Sequence, residues 1–244
     1  TVSKWFFTKR VLTQDITIGT GTSTTSYLPL YGYYDYSYGG MIYASNEINY
    51  SGPIRKIKFY VGNTPNNYTT DNQIIYMGEV PYTTFSSTSL IDTVGLTRVK
   101  EPFSYTWNGG GWKEFELDVP FDYSGNNSLL IVWVNNDGSY ASGYPTFSYT
   151  TKTNTGLYKN QDDSYPSIPG TGTRTANRPN IQISFEVPLH DNDVQFIAIT
   201  EPSGVLYSTN QYNIKGIFKN FGNDTLTSFT IKYKINGVEQ TPYN

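Results

Sequence analysis

The feature that most constrains the fold is the absence of a helical repeat. No window longer than about two helical turns has apolar residues at a 3.6-residue period without a Gly or Pro inside it. Instead, short runs of alternating polar and apolar residues are separated by turns rich in Gly, Pro, Asn and Asp, a pattern typical of β-strands. The 23 Tyr and 13 Phe residues also favour strands over helices. The sequence therefore predicts an all-β protein.

Several strand-like runs define a large first domain. The run at 54–61 predicts a half-exposed strand whose inward side chains are Ile57, Phe59 and Val61. The run at 129–134 is continuously apolar and too short for a buried helix, which predicts a central strand covered on both faces. About eight or more strands over ~170 residues, without helical crossovers, predict a jelly-roll-like β-sandwich at 15–187.

The remaining residues divide into three parts. Residues 1–14 fit no pattern, and residues 188–192 form a short linker stiffened by Pro188. Residues 193–244 contain further strands, and Asn236-Gly237 is a strong hairpin signal. These strands predict a partial immunoglobulin-like sandwich.

That second sandwich is expected to be incomplete. An immunoglobulin-like sandwich needs about seven strands and ~100 residues, whereas only about four strands fit after Asp193. We therefore expect either that the natural polypeptide continues beyond Asn244 or that a partner subunit completes the domain by strand donation.

The amino-acid composition argues against several classes of function. The net charge of −3 argues against nucleic-acid binding, which usually needs a clustered basic face. No apolar run reaches the ~20 residues that a membrane span needs. There is no Cys, and the single His190 lies in the linker, so thiolate chemistry, nucleophilic triads and His-based metal sites are disfavoured. The Tyr-, Thr- and Asn-rich, weakly charged sequence favours a secreted or cell-surface bacterial protein.

Carboxylates leave two chemical alternatives open. A glycosidase needs two Asp or Glu residues, and the candidates by residue type are Asp35, Glu47, Asp122, Asp137, Asp162 and Asp163. Most lie in turn-like segments, where Asp caps backbone amides, so a turn role is favoured. Calcium is the second alternative, because it takes oxygen ligands from loops; the candidate ligands are Asp137, Asp162, Asp163, Asp191 and Asp193.

Aromatic residues suggest a binding surface. A stacking surface for sugar rings or a partner protein is predicted from Tyr33, Tyr34, Tyr36, Trp107 and Trp112. The competing interpretation is that alternate aromatic residues fill the sandwich core. Arg178 precedes the final strand of the first domain, and we predict that it has a structural role, such as pairing with a buried carboxylate.

Two segments resemble known families. Residues 15–186 resemble a β-sandwich module of large secreted proteins of Bacteroidetes-type bacteria, through segments that include Ile18–Thr22, Leu28–Ser37, Tyr76–Glu79, Trp107–Trp112, Pro120–Gly125 and Arg178–Ile181. Residues 193–244 are similar to the start of a CARDB-like (cell-adhesion-related) immunoglobulin-fold domain, through Lys219–Leu226. The first resemblance implies a non-catalytic part of adhesins, peptidases or type IX secretion cargo, and neither resemblance transfers a binding residue.

The resemblance also implies a modification. Asp92-Thr93-Val94 and Asp224-Thr225-Leu226 resemble the O-glycosylation acceptor of such bacteria, at Thr93 and Thr225.

The leading hypothesis is a non-catalytic secreted or cell-surface adhesin or structural protein, whose partners are other surface proteins or glycans. The alternative is a carbohydrate-binding module of a larger polysaccharide-degrading enzyme. A carboxylate-based hydrolase or lyase is the least favoured hypothesis.

Overall fold

The computed structural model describes residues 12–187, 193–202, 213–220, 222, 224–235 and 237–242. The chain divides into two units, of which the larger comprises Thr13–Glu186. The described residues are nearly all β, and their one helix is α1 (Ser45–Ile48), so the predicted all-β fold class is confirmed. None of the described helical residues could form a bilayer span.

The larger unit is a β-sandwich with jelly-roll strand order. Its strands are β1 (Leu12–Ile18), β2 (Thr24–Thr25), β3 (Tyr36–Tyr43), β4 (Gly52–Val61), β5 (Tyr68–Val80), β6 (Thr97–Trp107), β7 (Gly111–Tyr123), β8 (Ser128–Asn136), β9 (Phe147–Gln161), β10 (Thr173–Pro179) and β11 (Ile181–Val187). One sheet has the order β1-β11-β4-β7 and the other the order β3-β8-β5-β6. Two interleaved sheets of this kind are characteristic of a jelly roll.

The long strand β9 joins the two sheets. Its first residue, Phe147, pairs with Val61 at the end of β4, whereas its later residues pair with β3. The strand β10 pairs with β9 along most of its length. Because β9 bridges the sheets at the end of β4, it brings the segment before Phe147 close to the loop after Val61.

The strand β8 is a central strand of the larger unit, paired with β3 on one side and β5 on the other. Trp133 and Ile131 point into the cluster between the two sheets, and Leu130 and Val132 point into a second buried cluster on the opposite face. Loop residues such as Phe85 help to cover that second face. The predicted central strand, covered on both faces, is confirmed.

The strand β4 follows its predicted alternation over most of its length. Ile57, Phe59 and Val61 are buried between the sheets, as predicted. Ile54, which strict alternation places on the outward face, is also buried. The pairing of β4 with β7 shifts register between Ile54 and Lys56, and this irregularity restores Ile54 to the core.

The second unit contains two small sheets among its described residues. β12 (Val194–Glu201) pairs with β13 (Lys215–Asn220), and β14 (Lys234–Ile235) pairs with β15 (Val238–Glu239). The short β14-β15 pair flanks the predicted hairpin turn, in which Gly237 has a positive φ of 82° and Asn236 lies outside the described residues. Within residues 229–235, the strand is limited to Lys234–Ile235. The immunoglobulin-like assignment stays a prediction.

Candidate functional site

Four loops meet at one end of the sandwich, which we call the loop end: residues 26–35, 62–67, 108–110 and 137–146. Backbone hydrogen bonds join them to one another. The amide of Gly62 donates to the carbonyl of Thr146 (2.8 Å), that of Gly109 to Pro65 (2.7 Å) and that of Gly138 to Asp35 (3.0 Å). The loops lie close together because of the strand order: β3 and β5 begin at the loop end, and β4 and β8 end there.

Tyrosine side chains dominate the loop end. The tyrosine cluster, as we define it, is a connected set of ring contacts with centroid distances of 4.6 to 6.0 Å, formed by Tyr27, Tyr31, Tyr33, Tyr34, Tyr140, Tyr144 and Tyr158. Tyr31 and Tyr33 each contact four of the other rings. Tyr33 and Tyr140 form its outer edge, with 49% and 60% of their surface exposed.

Buried side chains hold the tyrosine loop in place. The hydroxyl of Tyr68 donates to the carbonyl of Gly32 at 2.5 Å. Burial, reinforced by the charge of Asp137, raises the pKa of Tyr68 to about 12, so the phenol stays protonated as a donor. A Cβ at Gly32 would lie 2.6 Å from the Tyr68 hydroxyl and 2.9 Å from Tyr144, so the close approach requires glycine.

A buried polar network connects the same loop to the core. The indole of Trp133 donates to Oε1 of Gln73 (2.8 Å), and Nε2 of Gln73 donates to Oδ1 of Asn135 (2.5 Å). The amide of Asn135 then donates to the carbonyl of Tyr34 (3.4 Å). All three side chains are fully buried, so the position of Tyr34 is fixed from inside the sandwich.

The loop that carries Tyr140 and Tyr144 is fixed by Asn63. The Asn63 side chain donates to the carbonyl of Tyr144 (2.9 Å) and accepts from the amide of Thr146 (2.8 Å). Burial and a hydrogen bond with Tyr144 also raise the pKa of Tyr31. Six of the seven rings thus lie on two loops, 26–35 and 137–146, that are each braced independently, and Tyr158 lies on β9. Such a preorganised arrangement lowers the entropic cost of binding.

A small groove opens beside the tyrosine cluster. Its volume is about 220 Å³, and its lining residues are Asn66, Asn67, Tyr68, Thr69, Ser139, Tyr140, Ala141 and Ser142. Tyr140 therefore belongs both to the cluster and to the groove. Asn67 has a positive φ of 52°, a conformation that Asn tolerates better than most residues.

Asp137 is hydrogen-bonded to Ser139, a residue that lines the groove. Its carboxylate accepts a hydrogen bond from the hydroxyl of Ser139 (3.2 Å). Burial raises the pKa of Asp137, and the nearby charges of Asp71 and Asp35 act in the same direction. An acidic group therefore lies next to the lining of the groove.

The five aromatic residues predicted for a binding surface lie in different environments in the structure. Tyr33 and Tyr34 belong to the tyrosine cluster. Tyr36 is half-buried, and the ring contacts among the described residues do not include it. The prediction that Trp107 lies on the surface is wrong. Trp107 is fully buried, and its indole donates a hydrogen bond to Thr70 (3.0 Å). Trp112 is 38% exposed but packs edge-on against Tyr60, outside the cluster.

The cluster members that sequence reasoning missed include Tyr27, Tyr140, Tyr144 and Tyr158. Tyr140 and Tyr144 follow the central strand in a segment rich in Gly and Ser. The sequence could have indicated them, because a long loop that contains Tyr follows the predicted central strand. Loops of this kind commonly carry functional residues.

The candidate calcium ligands that the structure describes belong to no group of three or more carboxylates that could hold a metal ion. Within the ranges that the structure describes, no three His, Asp or Glu side chains come together in a way that could hold a metal ion. Asp162 instead accepts a hydrogen bond from the amide of Asp35 (3.4 Å), and Asp163 occupies a turn with a φ of 69°. Asp193 is half-buried beside β12, and Asp191 lies outside the described residues. The geometry gives no support to calcium at Asp137, Asp162, Asp163 or Asp193.

The predicted structural role of Arg178 is confirmed. Its guanidinium is 2% exposed and makes two 2.8 Å hydrogen bonds to Glu47, and it stacks 4.7 Å from the Tyr43 ring centroid. The Arg178 guanidinium holds the pKa of Glu47 below its usual range. Glu47, a carboxylate candidate for catalysis, is therefore part of a structural ion pair.

The candidate glycosylation sites both lie on loops. Thr93 is half-buried in a turn closed by a hydrogen bond from the Leu96 amide to its carbonyl (3.0 Å), next to the strongly exposed Val94. Thr225 is exposed in the second unit. Their modification stays a prediction.

Comparison with known proteins identifies no relative: no family model matches the chain, and neither the curated proteins nor the solved structures contain a match.

Proposed function

We propose that this chain is a non-catalytic adhesin-like protein, and that its jelly-roll unit binds an extracellular partner through the tyrosine cluster. The observation that carries the proposal is the set of seven tyrosines in contact at one end of the sandwich, with Tyr33 and Tyr140 open to solvent. Tyrosine is favoured at binding surfaces because a rigid apolar ring is combined with a polar hydroxyl.

The bracing of the cluster supports a binding role. Tyr68, Asn135 and Asn63 hold the two tyrosine loops through hydrogen bonds to the backbone. Rings that serve only to fill the core do not require exposed loops to be held in place. A binding surface, in contrast, gains affinity when its loops are preorganised. Side chains such as tyrosine also lose little conformational entropy when they bind.

The roles of the carboxylates support a non-catalytic protein. Glu47 pairs with Arg178, Asp162 accepts from the Asp35 backbone, and Asp137 accepts from Ser139. Each is used to hold a turn or an ion pair. The acid and nucleophile of a glycosidase would instead face a shared substrate cleft.

The setting we propose is the outside of a bacterial cell, as a secreted or surface-attached protein whose second unit is a spacer or a site of assembly. The resemblance of both segments to secreted adhesion-related modules supports this setting. A carbohydrate-binding module of a larger polysaccharide-degrading enzyme would use the same surface and differ in the domains attached to it.

Adhesion of the 244-residue chain, coupled to fluorescent beads, tests the proposal. The surfaces are collagen, fibrinogen and neutral polysaccharides. We expect adhesion to at least one surface, lost in the Tyr33→Ala/Tyr140→Ala double variant and kept in Tyr82→Ala. Tyr82 is a matched control because it is 38% exposed and follows β5 at the opposite end of that strand from the loop end. Hydrolysis of a polysaccharide that Asp137→Asn abolishes would overturn the proposal.

A further inference from the structure

The groove beside Tyr140 has a lining suited to a sugar ring. Its wall residues Asn66, Asn67 and Ser139 are uncharged and offer both donors and acceptors of hydrogen bonds. Its volume of about 220 Å³ is below the ~300–1,000 Å³ of sites for drug-sized apolar ligands. A small, polar and neutral cavity matches the hydroxyl-rich ring of a hexose better than an apolar side chain.

One exposed ring, Tyr140, lines this groove, and a second exposed ring, Tyr33, contacts Tyr140. The centroids of Tyr33 and Tyr140 are 5.8 Å apart and their planes are tilted by 51°. The faces of such rings are electron-rich and attract the polarised C–H edges of a sugar. Tyr140 lines the groove itself, so one ring of a glycan can occupy the groove while the next one stacks on Tyr33.

From this combination we infer that the groove and the Tyr33–Tyr140 edge form a binding site for neutral oligosaccharides. The inference rests on the proposed function and specifies its ligand class. Within the site, Tyr140 and Tyr33 are the stacking residues, and the amides of Asn66 and Asn67 hold the sugar hydroxyls.

Charge selects neutral sugars over acidic ones. Ser139 lines the groove and donates to the carboxylate of Asp137. Asp71 and Asp35 lie close enough to Asp137 to act on its ionisation. Their shared negative potential disfavours a uronic acid or a sulfated sugar at this end of the molecule.

Asn67 permits a sharp test of the groove. Because its φ is positive, glycine adopts its backbone conformation freely. Asn67→Gly therefore removes the amide without straining the loop. A loss of sugar binding in this variant reports on the amide itself, and an unchanged unfolding midpoint in urea verifies that the fold is intact.

Binding is measured on the full chain by titration calorimetry with cellohexaose, mannohexaose and hexagalacturonate. We expect at least one neutral hexaose to bind and hexagalacturonate to bind at least about tenfold more weakly. Tyr140→Ala is expected to weaken neutral binding about tenfold, a typical loss for an aromatic anchor. Tyr140→Phe keeps the ring and most of the affinity, Asn67→Gly weakens binding severalfold, and Tyr82→Ala leaves it unchanged.

Four outcomes would overturn the inference. The first is tighter binding of hexagalacturonate than of either neutral sugar. The second is full affinity in Asn67→Gly while Tyr140→Ala loses it, which would exclude the groove. The third is that no hexaose binds while beads still adhere to collagen or fibrinogen through Tyr33 and Tyr140. In that third case the proposed function stands and its ligand is a protein. Adhesion that does not depend on either tyrosine would overturn both.

Discussion

Two aromatic clusters in the jelly-roll unit have similar ring geometry and different surroundings. The core aromatic cluster, between the sheets, has centroid distances of 4.9 to 6.4 Å and includes Phe59, Trp107, Phe115, Trp133 and Phe147. The tyrosine cluster spans 4.6 to 6.0 Å, but Tyr33 and Tyr140 are largely exposed. Contact distance alone therefore does not separate a structural cluster from a binding surface.

The surroundings of the rings distinguish the two clusters. In the core, each indole donates to a buried partner: Trp107 to Thr70 and Trp133 to Gln73. Tyr33 and Tyr140 instead keep much of their ring surface in water. We therefore expect the core aromatic cluster to contribute to stability, and we propose that the exposed outer edge of the tyrosine cluster contributes to binding.

The largest expected effect is the loss of a core ring. Phe115 contacts the rings of Tyr105 and Trp133, each at a centroid distance of 4.9 Å. Phe115→Ala is expected to lower the free energy of unfolding by about 3–5 kcal/mol, because it leaves a cavity between the sheets. Urea unfolding measures this loss. Phe115→Leu leaves a smaller cavity and should lose less; equal, small losses in both variants would contradict the assignment of the ring to the core.

A loss of about 3 kcal/mol is expected from Arg178→Ala, because it leaves Glu47 without its buried partner. Urea unfolding at neutral pH gives the value. Lys152 provides the matched control: its Nζ lies 3.7 Å from Glu47 but the side chain is 53% exposed, so Lys152→Ala should change stability little. A comparable loss in both variants would mean that charge near Glu47, and not the buried geometry, is what stabilises the fold.

The buried network below Tyr34 links the two clusters. Asn135→Ala removes an acceptor for Gln73 and a donor for Tyr34, and we expect a loss of about 1–3 kcal/mol. Amide hydrogen exchange should also become faster at residues 31–34, because the tyrosine loop loses its internal anchor. Unchanged exchange there, despite lower stability, would show that Asn135 does not position the loop.

How far the sequence predicts these regions depends on the range of the contacts. The alternation at Ile57, Phe59 and Val61 and the apolar run of β8 are local patterns, and they predicted the buried faces correctly. Trp107 was misplaced because of the glycine turn that follows it, although Phe103 and Tyr105 extend the same period-two pattern. That pattern places Trp107 on the inward face of β6.

The tyrosine cluster is less accessible to sequence reasoning. Tyr36 pairs with Asn136 across β3 and β8, and this pairing brings the loops on either side together. The two residues are far apart in the chain, and nothing in the local sequence selects that register. Tyr33 and Tyr34 could be proposed as exposed aromatics, but their contacts with Tyr140 and Tyr144 depend on the strand order.

Acid should weaken the structural ion pair specifically. The pKa of Glu47 is lowered in the folded state by Arg178. Its stabilising contribution is therefore present above the pKa of the unfolded state, near 4.5, and is lost as the pH falls through the folded value. Urea midpoints measured between neutral pH and pH 3 should fall less steeply in Glu47→Gln than in the parent. Parallel curves would contradict this assignment.

The smallest expected effect on stability is at the edge of the tyrosine cluster. Tyr140→Ala removes a side chain that is 60% exposed, so the free energy of unfolding should change by no more than about 0.5 kcal/mol. Tyr43→Ala provides the contrast, since Tyr43 is fully buried and its hydroxyl donates to Pro179 (2.8 Å). Urea unfolding of both variants tests whether buried rings contribute to the free energy of unfolding while the exposed edge of the tyrosine cluster does not. A loss at Tyr140 as large as that at Tyr43 would make the tyrosine cluster an extension of the core and remove the structural reason for placing a binding site there.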